Sequence, residues 1–201
     1  FVNQMPRIIF KKFLLFCLIF VSNLSYAQEP DQFIKSVTEE ASNILRQEVS
    51  KEIKSEKLIT LAKRSVDIKG IGMYSLGKHK KVITEDQLSE YQDLFELYFL
   101  KSFSSRLSEY SDPKINVIAQ NVINEKYTIV SSVLVGDDKR PEIKIDWRVY
   151  TKDTQKPLIR DLIIEGLSLA RTQREEFNSV IQGADGEVKV LFQTLKDFIN
   201  N

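Results

Sequence analysis

The chain has 201 residues, with 29 Lys and Arg against 28 Asp and Glu, 42% hydrophobic residues, 7 Gly, 5 Pro and one Cys. The low Gly and Pro content excludes a collagen-like or low-complexity chain, and the hydrophobic fraction excludes a disordered one. A net charge of +1 argues against a protein built to grip a phosphate backbone, so no nucleic-acid partner is expected.

Residues 1–27 carry Arg7, Lys11 and Lys12, then the apolar run Phe13 to Val21, then a polar stretch ending Ser25-Tyr26-Ala27. That order predicts a secretory signal peptide cleaved after Ala27, with Met5 as the initiator; a retained anchor is the alternative, although the apolar run is short for a bilayer. Cys17 follows the bulky Phe16, which does not suit lipoprotein acylation. Removing the segment leaves 26 basic against 28 acidic residues, about −2, and no cysteine for disulfides, thiolate chemistry or a Cys-based metal site. The expected location is a periplasm, with 28–201 forming one domain: a mainly helical part at 28–112, a sheet at 113–166 and C-terminal helices at 167–201.

In chain order, Phe33, Ile34, Val37, Ala41, Ile44 and Leu45 recur at helical spacing over Pro30 to Gln47, and Ile53, Leu58, Ile59, Leu61, Ala62 and Val66 make a second amphipathic segment. A short helix follows Asp67 and stops at Gly77. Thr84 with Gln87 three residues on forms a capping box opening a long helix to about Tyr110; its stretch Leu94 to Leu100 is apolar nearly all round, which predicts burial on more than one side. After Asp112-Pro113 the period becomes two, predicting strands at about 115–123, 127–136, 142–151 and 157–165 in an antiparallel meander. Helix returns after Gly166 as far as Gln182, Gly183 to Gly186 breaks it, and Val188 to Ile199 closes the chain. The fold class is therefore α+β.

Few residues suggest chemistry. Gly72 to Gly77 followed by Lys78 has the glycine spacing of a phosphate-binding loop, but His79 stands where a Ser or Thr should hold magnesium and no buried strand precedes it. His79 is the only histidine, so it is read as part of a solvated basic loop, Lys78-His79-Lys80-Lys81, able to meet an anionic headgroup or an acidic partner surface. In the third strand Ile143, Ile145, Trp147 and Val149 alternate with Lys144, Asp146, Arg148 and Tyr150. Pairing Thr151 with Leu158 sets Arg148 opposite Asp161, Lys144 opposite Glu165, Trp147 opposite Leu162 and Ile145 opposite Ile164, so these acids read as cross-strand ion-pair members on a wet face, and no catalytic residue is assigned. Arg160 then falls on the apolar face opposite Val149, either snorkelling to water or standing at a cavity rim where a phosphate would sit. A surplus of large apolar residues, from Tyr91, Leu94, Phe95, Tyr98, Phe99, Phe103 and Leu107 to Trp147, is either core or the lining of a ligand cavity.

Several stretches resemble the MlaC family, the periplasmic phospholipid-binding proteins also called toluene-tolerance auxiliary proteins. They are Tyr74 to Lys78 followed by basic residues and Thr84; Tyr91 to Phe95 leading to Arg106 to Tyr110; Asp146-Trp147-Arg148; and Asp161 to Leu169 with Gln173 to Phe177. No single motif is specific, whereas the ordered set spans almost all of 28–201. The resemblance implies a twisted antiparallel sheet of nuclear-transport-factor-like type with a helical subdomain, enclosing an apolar cavity for acyl chains. It implies a monomeric carrier, without cofactor or metal, that ferries phospholipid between an outer-membrane MlaA-type lipoprotein complex and the inner-membrane Mla ABC transporter, maintaining outer-membrane lipid asymmetry. On that reading the lipid would meet Tyr74, Leu76, Leu94, Phe95, Tyr98, Phe99, Phe103, Val133, Val135, Ile145, Trp147, Val149, Leu162 and Ile164, with Arg160 at the rim and Lys78, His79, Lys80 and Lys81 docking partners. Two other readings stay open: a small hydrophobic-ligand enzyme on the same sheet, or a structural adaptor with a filled core.

Overall fold

The computed structural model describes residues 28–136 and 141–201; the expected signal segment lies outside them. Among the described residues, six α-helices and a five-stranded sheet follow one another in the expected α+β order. Helix α1 (Pro30–Arg46) begins at a proline, whose missing N–H costs nothing in a first turn. Ser50 caps α2 (Lys51–Ser65), and Asp67 caps α3 (Ile68–Leu76) by accepting from the Gly70 N–H at 2.9 Å. Gly77, with φ 58°, ends α3 in a conformation that disfavours a side chain, and a turn of 3-10 helix, Gly77–Lys81, follows. Both halves of the Thr84–Gln87 capping box form at the start of α4 (Glu85–Leu107), which stops three residues short of the predicted Tyr110.

The strands are β1 (Ile115–Asn124), β2 (Tyr127–Leu134), β3 (Ile143–Tyr150), β4 (Leu158–Ile164) and β5 (Leu167–Ser168), antiparallel and in sequence order across the sheet. The two-residue β5 was not anticipated. Glu165 and Gly166, at φ 49° and 83°, make a tight turn of the kind that matches strand twist, so what reads as the end of a strand is a hairpin. Edge strand β1 carries two register shifts, whose extra residues Ile118 and Ile123 are exposed and blunt the edge. Helices α5 (Leu169–Gln182) and α6 (Val188–Asn200) close the chain.

Register decides which face of the sheet is covered. Val130, Trp147 and Leu162 stand side by side across β2, β3 and β4, with Ser132, Ile145 and Ile164 in the next row. On this face Thr128, Val130, Ser132, Ile145, Trp147 and Val149 are all buried. The alternate residues Lys144 and Arg148 are exposed, so the period-two pattern reports burial on one face. Helices α1, α2, α3 and α5 approach the sheet, while α4 lies among α2, α3 and α6. Sheet and helices share one apolar cluster running from Phe33 and Ile34 through Phe95 and Trp147 to Leu195. The apolar middle of α4 is covered on several sides as expected, although Leu97 is 53% exposed. Gly72 permits the close approach of α3 and α4: a Cβ there would lie 2.7 Å from Phe95 Cδ1. The segment resembling a phosphate loop is therefore helix from Gly72 to Leu76.

Candidate functional site

On α4, Tyr91, Phe95, Phe99 and Phe103 recur every fourth residue, so their rings form a line along one side of the helix, with centroids 5.8, 6.2 and 5.9 Å apart in succession. Burial falls along this line. Tyr91 and Phe95 are 0% and 2% exposed, whereas Phe99 and Phe103 are only half-buried. Phe177 of α5 packs edge-on against Tyr91 and Phe95, which seals the inner end. Burial pushes the Tyr91 hydroxyl pKa up, and its proton goes to the Gly72 carbonyl at 2.8 Å.

The sheet shows a similar gradient. Thr128, Val149 and Ile159 form a sealed row; three rows along, Leu134 and Ile143 are half-buried, as are Leu162 and Ile164 on β4. Between the extremes Trp147 keeps its polar edge satisfied, because its Nε1–H donates to Ser132 Oγ at 2.8 Å and that hydroxyl donates to the Ile145 carbonyl at 3.0 Å. Phe99, Phe103, Leu134, Ile143, Leu162 and Ile199 all pack on the same apolar cluster without being buried in it. Covering a half-exposed residue of this size gains on the order of 1 kcal/mol, so such a seam favours an apolar ligand by several kcal/mol in sum.

Of the sheet residues expected in the lining, Ile145, Trp147, Val149, Leu162 and Ile164 share the covered face. Val133 does not. It pairs with Lys144, which puts it on the opposite face, and Val135 lies beyond the strand at 41% exposure. Ser132 and Leu134 hold the inward positions instead, and the serine's polarity hid that parity. On the helices Leu76, Leu94 and Phe95 are buried, Tyr98 is half-buried, and Tyr74 is 41% exposed. Tyr98 donates to Gln173 Oε1 at 2.9 Å, and burial together with the nearby Glu176 charge raises its pKa.

Arg160 is not opposite Val149. A bulge between Arg148 and Val149 makes Ile159 the partner of Val149 and leaves Arg160 as the extra residue. Its Nε donates to Asp67 Oδ2 at 2.6 Å and its Nη1 to the Tyr127 hydroxyl at 2.7 Å. Burial works against the charged guanidinium, yet the bonds to Tyr127 and Asp67 prevail and raise its pKa. A guanidinium so engaged ties β4 to the cap of α3, with two of its five N–H donors committed to Asp67 and Tyr127.

Asp161 also departs from expectation. It faces Arg148 as predicted, but it is 5% exposed rather than wet, and its carboxylate accepts from Ser168 Oγ at 2.6 Å and from the Ala170 N–H at 3.0 Å. It fastens β4 to the start of α5. Glu165 pairs with Lys144 through the backbone, its Oε1 accepting from the Lys144 N–H at 2.5 Å, so no ammonium ion pair is formed there.

His79 is buried as well, not part of a solvated loop. It is 6% exposed, and its Nε2–H donates to Asn178 Oδ1 at 3.0 Å, which pins the 3-10 turn to α5. Lys78, Lys80 and Lys81 are exposed around it. Between the two walls runs a cleft of about 430 Å³ lined by Tyr74, Leu76, Gly77, Lys78, His79, Arg171, Arg174, Glu175 and Asn178. Arg171 and Arg174 were not picked out from the sequence, since nothing in a helical Arg-x-x-Arg spacing says which surface it will face. A second cleft of about 110 Å³ lies between α3 and α4 beside Phe95. Among the described residues no group of three or more His, Cys, Asp or Glu is placed to hold a metal ion, and no helix is long and apolar enough to cross a membrane.

The model of the MlaC protein family matches residues 35–197, from within α1 to within α6 and across the whole sheet. The chain belongs to the MlaC family. Comparison with curated proteins finds no match. Among solved structures, the chain is similar to the phospholipid-binding protein from Ralstonia solanacearum, determined in complex with a phospholipid: TM-score 0.72 at 17% identity, covering 86% of this chain and 98% of that one. At that identity the likeness establishes a shared fold.

Proposed function

We propose that this MlaC-family protein is a periplasmic phospholipid carrier, made with residues 1–27 as a signal segment and 28–201 as one lipid-binding domain, that shuttles diacyl lipid between the outer membrane and an inner-membrane ABC transporter. The observation that carries the reading is the seam where the ring line of α4 and the rows of the sheet both pass from buried to half-buried within one apolar cluster. Membership of the family and the fold shared with a protein holding a phospholipid support it.

The physics of such a carrier needs no catalytic group. Two acyl chains hold about thirty methylenes, each worth roughly 0.8 kcal/mol when buried, so free passage through water is very slow. A dry protein interior offers the tails much what the bilayer offers, and exchange between them can be close to thermoneutral. Asp161, an acid that an enzyme on this sheet could use, lies off the covered face and already accepts from Ser168 and Ala170. Loading the seam would cover Phe99 and Phe103 on α4 and the half-buried strand residues, while the sealed row of Thr128, Val149 and Ile159 holds the fold.

The test is exchange with vesicles containing a fluorescent diacyl lipid. The carrier reading expects the protein to take up the lipid in a saturable, near-stoichiometric complex that elutes as a monomer; no uptake overturns it.

A further inference from the structure

The cleft between the 3-10 turn and α5 is chemically unlike the apolar seam. Lys78, Arg171 and Arg174 face one carboxylate, Glu175, and among the described residues none of the three cations makes an ion pair, whereas Arg46, Lys63, Arg64, Arg160 and Lys196 each have an acidic partner. The cleft is also held open in a definite shape. The bond from buried His79 to Asn178 joins its walls, and Arg174 lies 5.3 Å from the Tyr74 ring centroid, in the space that the absent Cβ of Gly77 leaves: a Cβ there would be 3.0 Å from Arg174 Nε. Arg174 is thus oriented before any ligand arrives. Part of the wall is apolar, from Leu76 and the half-open Tyr74 ring, and Val82, the next residue after the 3-10 turn, is 77% exposed.

We infer that this cleft is a docking site for an acidic protein segment, one that sets carboxylates on Arg171, Arg174 and Lys78 and an apolar side chain on Tyr74. Oriented Arg and Tyr at the centre with flexible lysines around them is the composition of a binding hot spot, and guanidinium planes match carboxylates in pairs. A bare oxyanion would make no use of the apolar wall. The inference rests on the carrier reading, in which cargo must pass to another protein, and gives that hand-over a place and a charge sign. Docking through several exposed charges is fast and screened by salt, which suits a carrier that must also leave.

The test is fluorescence anisotropy of the full protein with a labelled ten-residue peptide alternating Glu and Leu, against a Lys–Leu peptide and vesicles containing anionic phosphatidylglycerol. Arg171→Glu with Arg174→Glu should weaken Glu–Leu peptide binding at least tenfold, and the milder Arg171→Gln with Arg174→Gln several-fold. Lys35→Glu with Lys51→Glu, the same charge change at exposed sites on α1 and α2, should leave it within twofold. Wild-type binding should fall steeply from 50 to 300 mM salt. Absence of peptide binding, equal loss in both charge-reversed variants, or vesicle binding that depends on Arg171 and Arg174 where peptide binding does not, overturns the inference. Lipid content of the same samples, by mass spectrometry, separates the two claims: a lipid-loaded protein that ignores the peptide sinks the docking site alone, and a lipid-free one sinks the carrier.

Discussion

The Arg160 guanidinium carbon sits 3.7 Å from the centroid of the Tyr150 ring while its Nε donates to Asp67. One side chain at a strand bulge thereby holds the end of β3 and the capping residue of α3. Arg160→Ala should cost about 1–3 kcal/mol, because it strips a partly buried carboxylate of its partner and a ring of its stacked cation. Arg160→Lys should recover only part of that, since an ammonium cannot bond Asp67 and Tyr127 while lying flat on Tyr150. Urea midpoints at constant slope check both. A lipid-uptake defect without loss of stability would mean that Arg160 serves the ligand after all.

Gly72 allows a test of packing. Alanine there brings a methyl to 2.7 Å from a Phe95 ring that is only 2% exposed and cannot swing into solvent. Gly72→Ala gains helix propensity in α3 but should still be destabilising by about 1–3 kcal/mol, read as a lower thermal midpoint.

Alkaline pH should unfold the protein. Burial raises the folded-state pKa of both Tyr91 and Tyr98 above the ordinary value of 10.0, the second with help from Glu176. A raised folded-state pKa contributes stability that is complete below the unfolded pKa and is lost as pH climbs past it. Urea stability should therefore be flat in this respect up to about pH 9 and fall above about pH 10, and Tyr91→Phe should flatten that fall while costing about 1 kcal/mol at pH 7 for the lost bond to Gly72.

The seam makes a paired prediction from register alone. Ile143 is on the covered face, half-buried beside Leu134, whereas Val133 faces the other way beside Lys144. Ile143→Glu should leave circular dichroism unchanged and reduce lipid uptake by tenfold or more, since an unpaired carboxylate among acyl chains must stay charged or take up a proton. Val133→Glu should leave uptake intact, with a cross-strand ion pair to Lys144 worth about 0.2–1 kcal/mol. Equal effects in the two variants would show that ligand does not lie on the Trp147 face.

Much of this is legible in the sequence. The Thr84–Gln87 box, the stop at Gly77 and the pairing of Trp147 with Leu162 and Arg148 with Asp161 are local signals, or alternations that only one register satisfies. Reading failed where a distant partner overrode local polarity. His79 sits among lysines, and only Asn178, 99 residues away, explains its burial. Asp161 looked wet because its partners, Ser168 and the Ala170 N–H, come from a helix start that strand periodicity does not foresee. Past the bulge at Arg160 the alternation is offset by one residue, so parity carried across it is wrong.

The central claim is that a diacyl phospholipid occupies the seam between α4 and the sheet. Native mass spectrometry of protein purified without detergent, with extraction and identification of whatever dissociates, tests it most directly. The account predicts a dominant species heavier than the bare chain by the mass of a diacyl phospholipid, lost in Ile143→Glu and kept in Val133→Glu. A wild-type protein that is lipid-free as purified, and stays so after incubation with phospholipid vesicles, would contradict it.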